Sequence, residues 1–226
     1  MIFASMSTMD IYWGGQALFR LKGKNATVII DPFDPNMMGY KLPKDLTGDV
    51  VLVTHEHHDH NNSDAITTSD DKKAMVFSEP GEYEVAGAVI TAIDSFHDDQ
   101  NGAERGKNLI FHIMMDGLNI VHLGDLGQSK LTEEQLAQIG EVDILLIPVG
   151  SVYTIDGRAA AEIVAQLEPR IIIPMHFKIE GLKFELEGPE IFLKEMGAEG
   201  VVAQPKLSIT KEKLPEEPQV VVLAKS

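Results

Sequence analysis

The chain has no cysteine, which excludes disulfides and thiolate metal ligands together; any metal it binds must be held by His, Asp, Glu or solvent. Positive charge is scarce: 19 Lys and Arg stand against 35 Asp and Glu, and the formal charge of −16 repels phosphate backbones. No basic stripe interleaved with aromatics offsets that repulsion, so nucleic acid is not expected as a partner. The chain lacks any apolar run of the roughly 18 residues that a membrane helix needs. Its opening "MIFASMSTMD" has neither the basic start nor the long apolar centre of a secretory signal. We therefore expect a soluble, cytoplasmic protein with no membrane partner. There is no linker rich in Pro, Gly or Ser, and 226 residues that are 44% hydrophobic can bury a sizeable core, so the expectation is a single domain over residues 1–226.

What is present is mostly β-forming. "ALFRLKG" and "ATVIID", with "KGKN" between, read as a hairpin; "DVVLVTH", "AMVFS", "YEVAGAVITAI" and "NLIFHIMMDGLNIVHLGD" follow, the last as two strands joined at "DG". In "LTEEQLAQIG", Thr132 with Gln135 forms a capping box and Gly140 a stop signal, which predicts a helix. A second helix is expected from near Asp156 to before Pro169, between the buried strands "VDILLIPVG" and "RIIIPMH", and a third in "GPEIFLKEMGA". "LSIT" and "QVVVLA" close the chain as strands around the charged loop "KEKLPEEP". Strands outnumber helices, and the helices gather in the C-terminal half.

The stretch "VLVTHEHHDHNN" holds four of the chain's eight histidines within six positions, directly after an apolar strand. Alternate residues of an extended segment point the same way, so His55 and His57 converge on one ion while Asp59 and His60 turn towards a second. A thermolysin-like His-Glu-x-x-His helix is excluded, because position 59 is Asp and the preceding β-branched run disfavours a helix. Further ligand-type residues stand just beyond apolar runs: His97 after "AVITAIDSF", Asp125 after "LNIVHLG" and His176 after "RIIIPM". Polar groups at several strand ends of one sheet protein are where a rigid scaffold presents its chemistry. His112 and His122 lie inside strands and read first as core or half-buried residues, His122 with a supporting role to the site as the alternative. His58 is expected to face solvent.

"THEHHDHNN", "SFH", "HLGDLG" and "IPMHF", in that order, resemble the five-part metal signature of the metallo-β-lactamase superfamily, and most closely its branch of zinc-dependent hydrolases similar to ascorbate-6-phosphate lactonase; "IIDPF" and "RGKN" also have counterparts there. The resemblance implies an α/β (α+β) fold, a four-layer αββα sandwich of two mixed sheets with helices outside. It also implies a first metal on His55, His57 and His97, and a second on Asp59, His60 and His176, with Asp125 bridging. One departure is "WGGQALF", where many relatives place a His after the Gly and this chain has Gln16.

Two such ions, expected to be Zn²⁺ with Mn²⁺ or Fe²⁺ also compatible, would generate a hydroxide from water by bringing its pKa from 15.7 towards roughly 7. Asp59 would orient that nucleophile. Asp31 is read either as the start of the turn "DPFDP" or as an acceptor for a ligand imidazole. Arg105, Asn108 and Lys178 lie near ligands in sequence and are candidates for holding an anionic substrate, against the plainer reading of surface charges. Tyr153 reaches the pocket or packs. The function expected is hydrolysis of a lactone or ester bond in a small anionic metabolite. The alternatives are a phosphodiesterase and a non-catalytic metal-binding sensor, and a homo-oligomer is allowed for.

Overall fold

Apolar residues at every second position, Met9, Ile11 and Trp13, build the first strand, β1 (Met9–Gly15), burying those three side chains and leaving Asp10 and Tyr12 half-buried. β1 lies ahead of "ALFRLKG", where the expected strands begin; the glycines after Trp13 mask its alternation. The structure, a computed structural model, describes residues 7–226; the first six residues of "MIFASMSTMD" lie outside them.

β1 pairs antiparallel with β2 (Leu18–Lys22), and β2 with β3 (Thr27–Ile30), as the expected hairpin. β4 (Val50–Leu52) and β5 (Met75–Phe77) extend this sheet in parallel, and β12 (Leu207–Ile209) pairs antiparallel with the free side of β1. The run "YEVAGAVITAI" is two strands, β6 (Gly81–Val85) and β7 (Ala88–Phe96). Ala86 and Gly87 turn between them with φ of 49° and 83°, the doubly left-handed turn whose twist suits a tight hairpin. β8 (Lys107–Met115) and β9 (Leu118–His122) continue antiparallel; β10 (Ile144–Pro148), β11 (Ile171–Met175) and β13 (Gln219–Val220) are then added in parallel. Pro174 cannot donate to a ladder, and it falls where β11 has run past its last pair with β13, at Ile172.

The two sheets are thus mixed, of six and seven strands. Their facing sides share one apolar core, which takes in Val28, Ile30, Val50 and Leu52 from the first sheet and Phe111, Ile120 and Leu146 from the second. Alternate residues Ile29, Val51 and Val53 belong to a separate cluster on the outer side of the first sheet, with Phe33, Met38, Leu182 and Leu186. Both faces of β3 and β4 are covered, which is why "VII" after Thr27 and "VVL" are apolar throughout rather than alternating.

The outer side of the second sheet carries α2 (Glu133–Ile139) and α3 (Gly157–Leu167), with α4 (Glu190–Glu195) against α3. Thr132 and Gln135 form the expected capping box. Asp156 caps α3 through the amides of Arg158 and Ala159, and Glu168, left-handed at φ 47°, ends it before Pro169. The cover over the first sheet is thinner: one short helix, α1 (Pro35–Met38), and irregular segments including residues 179–186. The architecture is an αββα sandwich with one well-formed helical layer and one mostly of loop. Among the described residues no helix is long and apolar enough to cross a membrane.

Candidate metal centre

The segments that follow β4, β7, β9 and β11 lie together at one edge of the sandwich and bring seven side chains together in two groups. His55, His57 and His97 form the first; Asp59, His60, Asp125 and His176 form the second. Within each group the potential ligand atoms all lie within 4.8 Å of one another.

Donors held about 2.1 Å from one small cation lie about 3.0 to 3.4 Å apart, the range between right-angled and tetrahedral arrangements. In the second group, Asp125 Oδ2 is 3.1 Å from both His60 Nε2 and His176 Nε2, and His60 Nε2 is 3.4 Å from Asp59 Oδ2. Asp125 Oδ2 is also 3.4 Å from His97 Nε2, so one carboxylate touches both groups. His55 Nε2, His60 Nε2 and Asp125 Oδ1 are buried without a hydrogen-bond partner. Orphaned buried donors and acceptors at cation spacing, all N or O, fit a metal site.

The groups differ in charge. Burial and the neighbouring His60 hold the His55 imidazole well below its ordinary pKa, and burial lowers His97 too, so both stay neutral, the form that ligates metal. Burial also opposes charge on His60, but Asp125, Asp59 and Asp31 around it outweigh that and hold its proton well above the ordinary value. Asp125 is pulled well below the carboxylate range by His176 and His60 despite its burial. Burial raises Asp59, and the charge of His60 overcomes it and leaves that carboxyl depressed. His60 thus carries the positive charge that three carboxylates demand.

The surrounding residues explain how the ligand-type side chains are aimed. Asp31, fully buried and left-handed at φ 49°, accepts from the Thr54 amide and hydroxyl, each at 2.8 Å, and pairs with His60 Nδ1 at 2.9 Å. Of its two expected roles, the acceptor for a candidate ligand imidazole is the one its contacts match. Thr54 Oγ1 lies 3.0 Å from His55 Nδ1, leaving Nε2 turned inward. Gly124 in "HLGDLG" has φ 58°, and a Cβ there would collide with the Asn108 carboxamide.

Three expectations are corrected. Asn108 is fully buried; its carboxamide binds Ser95 Oγ, the Leu123 carbonyl and the Asp125 amide, so it braces the Asp125 turn and cannot meet a substrate. Lys178 turns to Glu185 at 3.2 Å and the Phe184 carbonyl, away from the pocket. His122 contacts no candidate ligand: its Nε2–H donates to the Ala17 carbonyl at 2.9 Å and its Nδ1 accepts from the Gly124 amide at 3.0 Å, tying β9 to the β1–β2 turn. His58 is exposed and His112 half-buried, as expected. Arg105 does line the pocket, its guanidinium 4.9 Å above the Tyr153 ring.

Sequence reasoning did not assign Asp98. Its buried carboxylate accepts the amides of Gln100, Gly102, Glu104 and Arg105 at 2.7–3.0 Å, which outweigh burial and draw its pKa down to about 2. It folds the loop that follows His97 and delivers Arg105; an Asp ahead of a Gly-containing loop was the available signal. Met37 and Phe184, also unassigned, form apolar parts of the pocket wall.

Residues 10–176 match the family model of the beta-lactamase superfamily domain. A metal-dependent hydrolase of Thermoplasma acidophilum is 34% identical over 194 residues, 76% of this chain and 84% of the relative. A crystal structure from Thermotoga maritima, of a candidate Zn-dependent hydrolase of the metallo-β-lactamase superfamily, superposes with a TM-score of 0.76 at 36% identity, covering 95% of this chain and 98% of that one. The fold alone also extends to a diiron β-hydroxylase of Streptomyces venezuelae, TM-score 0.59 at 14% identity over 92% of this chain and 54% of that one, so architecture does not by itself name the reaction. With its matched domain, its relatives above 30% identity and its two mixed sheets, this chain belongs to the metallo-β-lactamase superfamily.

Proposed function

We propose that this protein is a binuclear metal-dependent hydrolase that opens a lactone or ester bond in a small anionic metabolite. The observation that carries the reading is the pair of adjoining donor groups sharing Asp125, with buried ligand atoms left without partners. His55, His57 and His97 would hold one cation, and Asp59, His60 and His176 the other, with Asp125 between them; an all-N/O donor set suits Zn²⁺. When bound, such ions supply a water of lowered pKa and a Lewis acid for the substrate oxygen. The hydrolase activity named for the relatives supports this reading.

The chain's own residues set the rest. The Asp59 side chain is 19% exposed while that of Asp125 is 2%, so Asp59 is the carboxylate open to the pocket. It takes the proton of the attacking water as that oxygen bonds to the carbonyl carbon, and returns it to the alkoxide as the ring or ester C–O bond breaks. The pocket has a volume of about 300 Å³, room for a small metabolite. Met37, Tyr153 and Phe184 offer an apolar wall, and among the described residues Arg105 is the one Lys or Arg side chain lining it. A single guanidinium suits one carboxylate or phosphate on the substrate's tail.

Purified protein loaded with Zn²⁺ should hydrolyse members of a lactone and ester panel faster than cyclic or diester phosphates, with preference for anionic substrates that Arg105→Met removes. Two bound metals with turnover only of phosphodiesters would overturn the substrate assignment. Two bound metals and no turnover on either panel would favour a metal-binding sensor.

A further inference from the structure

The β1–β2 turn enters the site from the sheet opposite to His176, and it brings a side chain that the ligand reading leaves out. Gln16 is only 1% exposed, and its carboxamide nitrogen lies 2.5 Å from His176 Nε2 and 3.2 Å from Asp59 Oδ2. Those are two of the four donor atoms of the second group. Nothing about the position is loose. Its carbonyl accepts from Trp13 Nε1 at 2.8 Å and from the His176 amide at 3.1 Å, which fixes the backbone from both sides. Its φ of 53° is left-handed, a conformation that side-chain-bearing residues rarely adopt. The surrounding contacts sustain that strain while the side chain is aimed at the donor group.

We propose that Gln16 is a ligand, its carboxamide oxygen completing the coordination of the cation that Asp59, His60, Asp125 and His176 would hold. The proposal rests on reading the two groups as cation sites. A cation takes up the lone pair of His176 Nε2 and engages Asp59 Oδ2, removing both acceptors from the amide and setting its N–H against positive charge. Turning the carboxamide by half a revolution exchanges nitrogen for oxygen within the same volume and presents two lone pairs instead. The result is a neutral oxygen donor 3.2 Å from Asp59 Oδ2, in the range of neighbouring ligands, and at 2.5 Å from His176 Nε2 it has to draw back by roughly half an ångström for the two to share one cation.

The test is competition titration of metal-free full-length protein with Zn²⁺ against a chromophoric chelator, for wild type, Gln16→Leu and Gln16→Glu, with Co²⁺ absorption spectra alongside. As a ligand, Gln16 replaced by Leu should weaken the cation beside His60 by about 10- to 100-fold. Replaced by Glu, which offers a charged oxygen, it should tighten that cation instead. The Co²⁺ bands of the Leu variant should also intensify as coordination falls. If Leu and Glu both weaken binding, Gln16 serves as an N–H donor to Asp59 and the assignment is overturned; unchanged binding in both overturns it too. Should the Leu variant melt well below wild type, Gln16→Asn, which withdraws the amide by one methylene, gives the same comparison. Wild type that binds no Zn²⁺ would fail the reading of the site itself, whereas wild type binding two with indifferent variants fails only the role of Gln16.

Discussion

The two donor groups sit side by side and are built on opposite electrostatic plans. The first is three imidazoles, with His55 and His97 kept neutral by burial. The second sets two imidazoles, His60 and His176, against the carboxylates Asp59 and Asp125, with Asp31 adding a third carboxylate beside His60. The first can exist without a metal at little electrostatic cost. The second has a charge requirement that a proton on His60 meets and a divalent cation would meet better. Sharing Asp125 couples the two, so emptying one changes the field at the other.

The comparison breaks most completely at Asp125. Asp125→Ala should lower kcat/KM by about 10³-fold or more, as when a positioned transition-state stabiliser is lost. Elemental analysis should find fewer than two metals per chain; two retained metals would show that the groups do not depend on the shared carboxylate. Next in size is chelation. Each cation present at 100 times its Kd stabilises the fold by about 2.7 kcal/mol, so metal-free protein should melt earlier while its far-ultraviolet circular dichroism is unchanged. Hydrogen exchange should quicken in residues 54–60 and 97–106 and not in β8 or β10. Global loss of structure would mean that the metals organise the core.

Asp31→Asn sharpens the contrast by removing a negative charge that meets His60 directly and reaches His55 only through Thr54. It should weaken the cation beside His60 by about 10- to 100-fold and leave the cation on His55, His57 and His97 in place, as read by Zn²⁺ competition. The smallest effect concerns pH. His122 is fully buried, and that burial lowers its pKa, so the unfolded chain takes up the proton first as pH falls. Stability is therefore full above the unfolded value of about 6.5 and declines below it, by up to about 1.4 kcal/mol per pH unit for such a group. Urea midpoints at pH 7.5 and 5.5 should differ less in His122→Asn than in wild type, both metal-free.

The seven converging side chains were legible because each lies at a strand end, where the apolar run marks position along the sheet edge and the residue type marks chemistry. Direction was not legible. Asn108 and Lys178 are near ligands along the chain, yet one points into the core and the other along a loop, since one residue of register in a strand reverses the face. Asp98 was missed because its partners are backbone amides, which carry no side-chain signal. Gln16 stood out only as a departure from a familiar motif; with β1 unread, nothing indicated that its turn reaches across to His176. The helices α2 and α3 were legible from their caps, while the thin cover of the first sheet was not, being held by scattered residues such as Phe33, Met38 and Leu186.

The contact between Gln16 and His176 spans 160 positions of sequence. A contact so distant along the chain carries a large loop-closure cost and forms late, after local hairpins such as β6–β7 and β8–β9 have closed. The donor groups therefore come together near the end of folding, and a nascent chain still lacking β11 has the His-rich loop but not the second group. Metal bound by that group holds molecules whose sheets have already met.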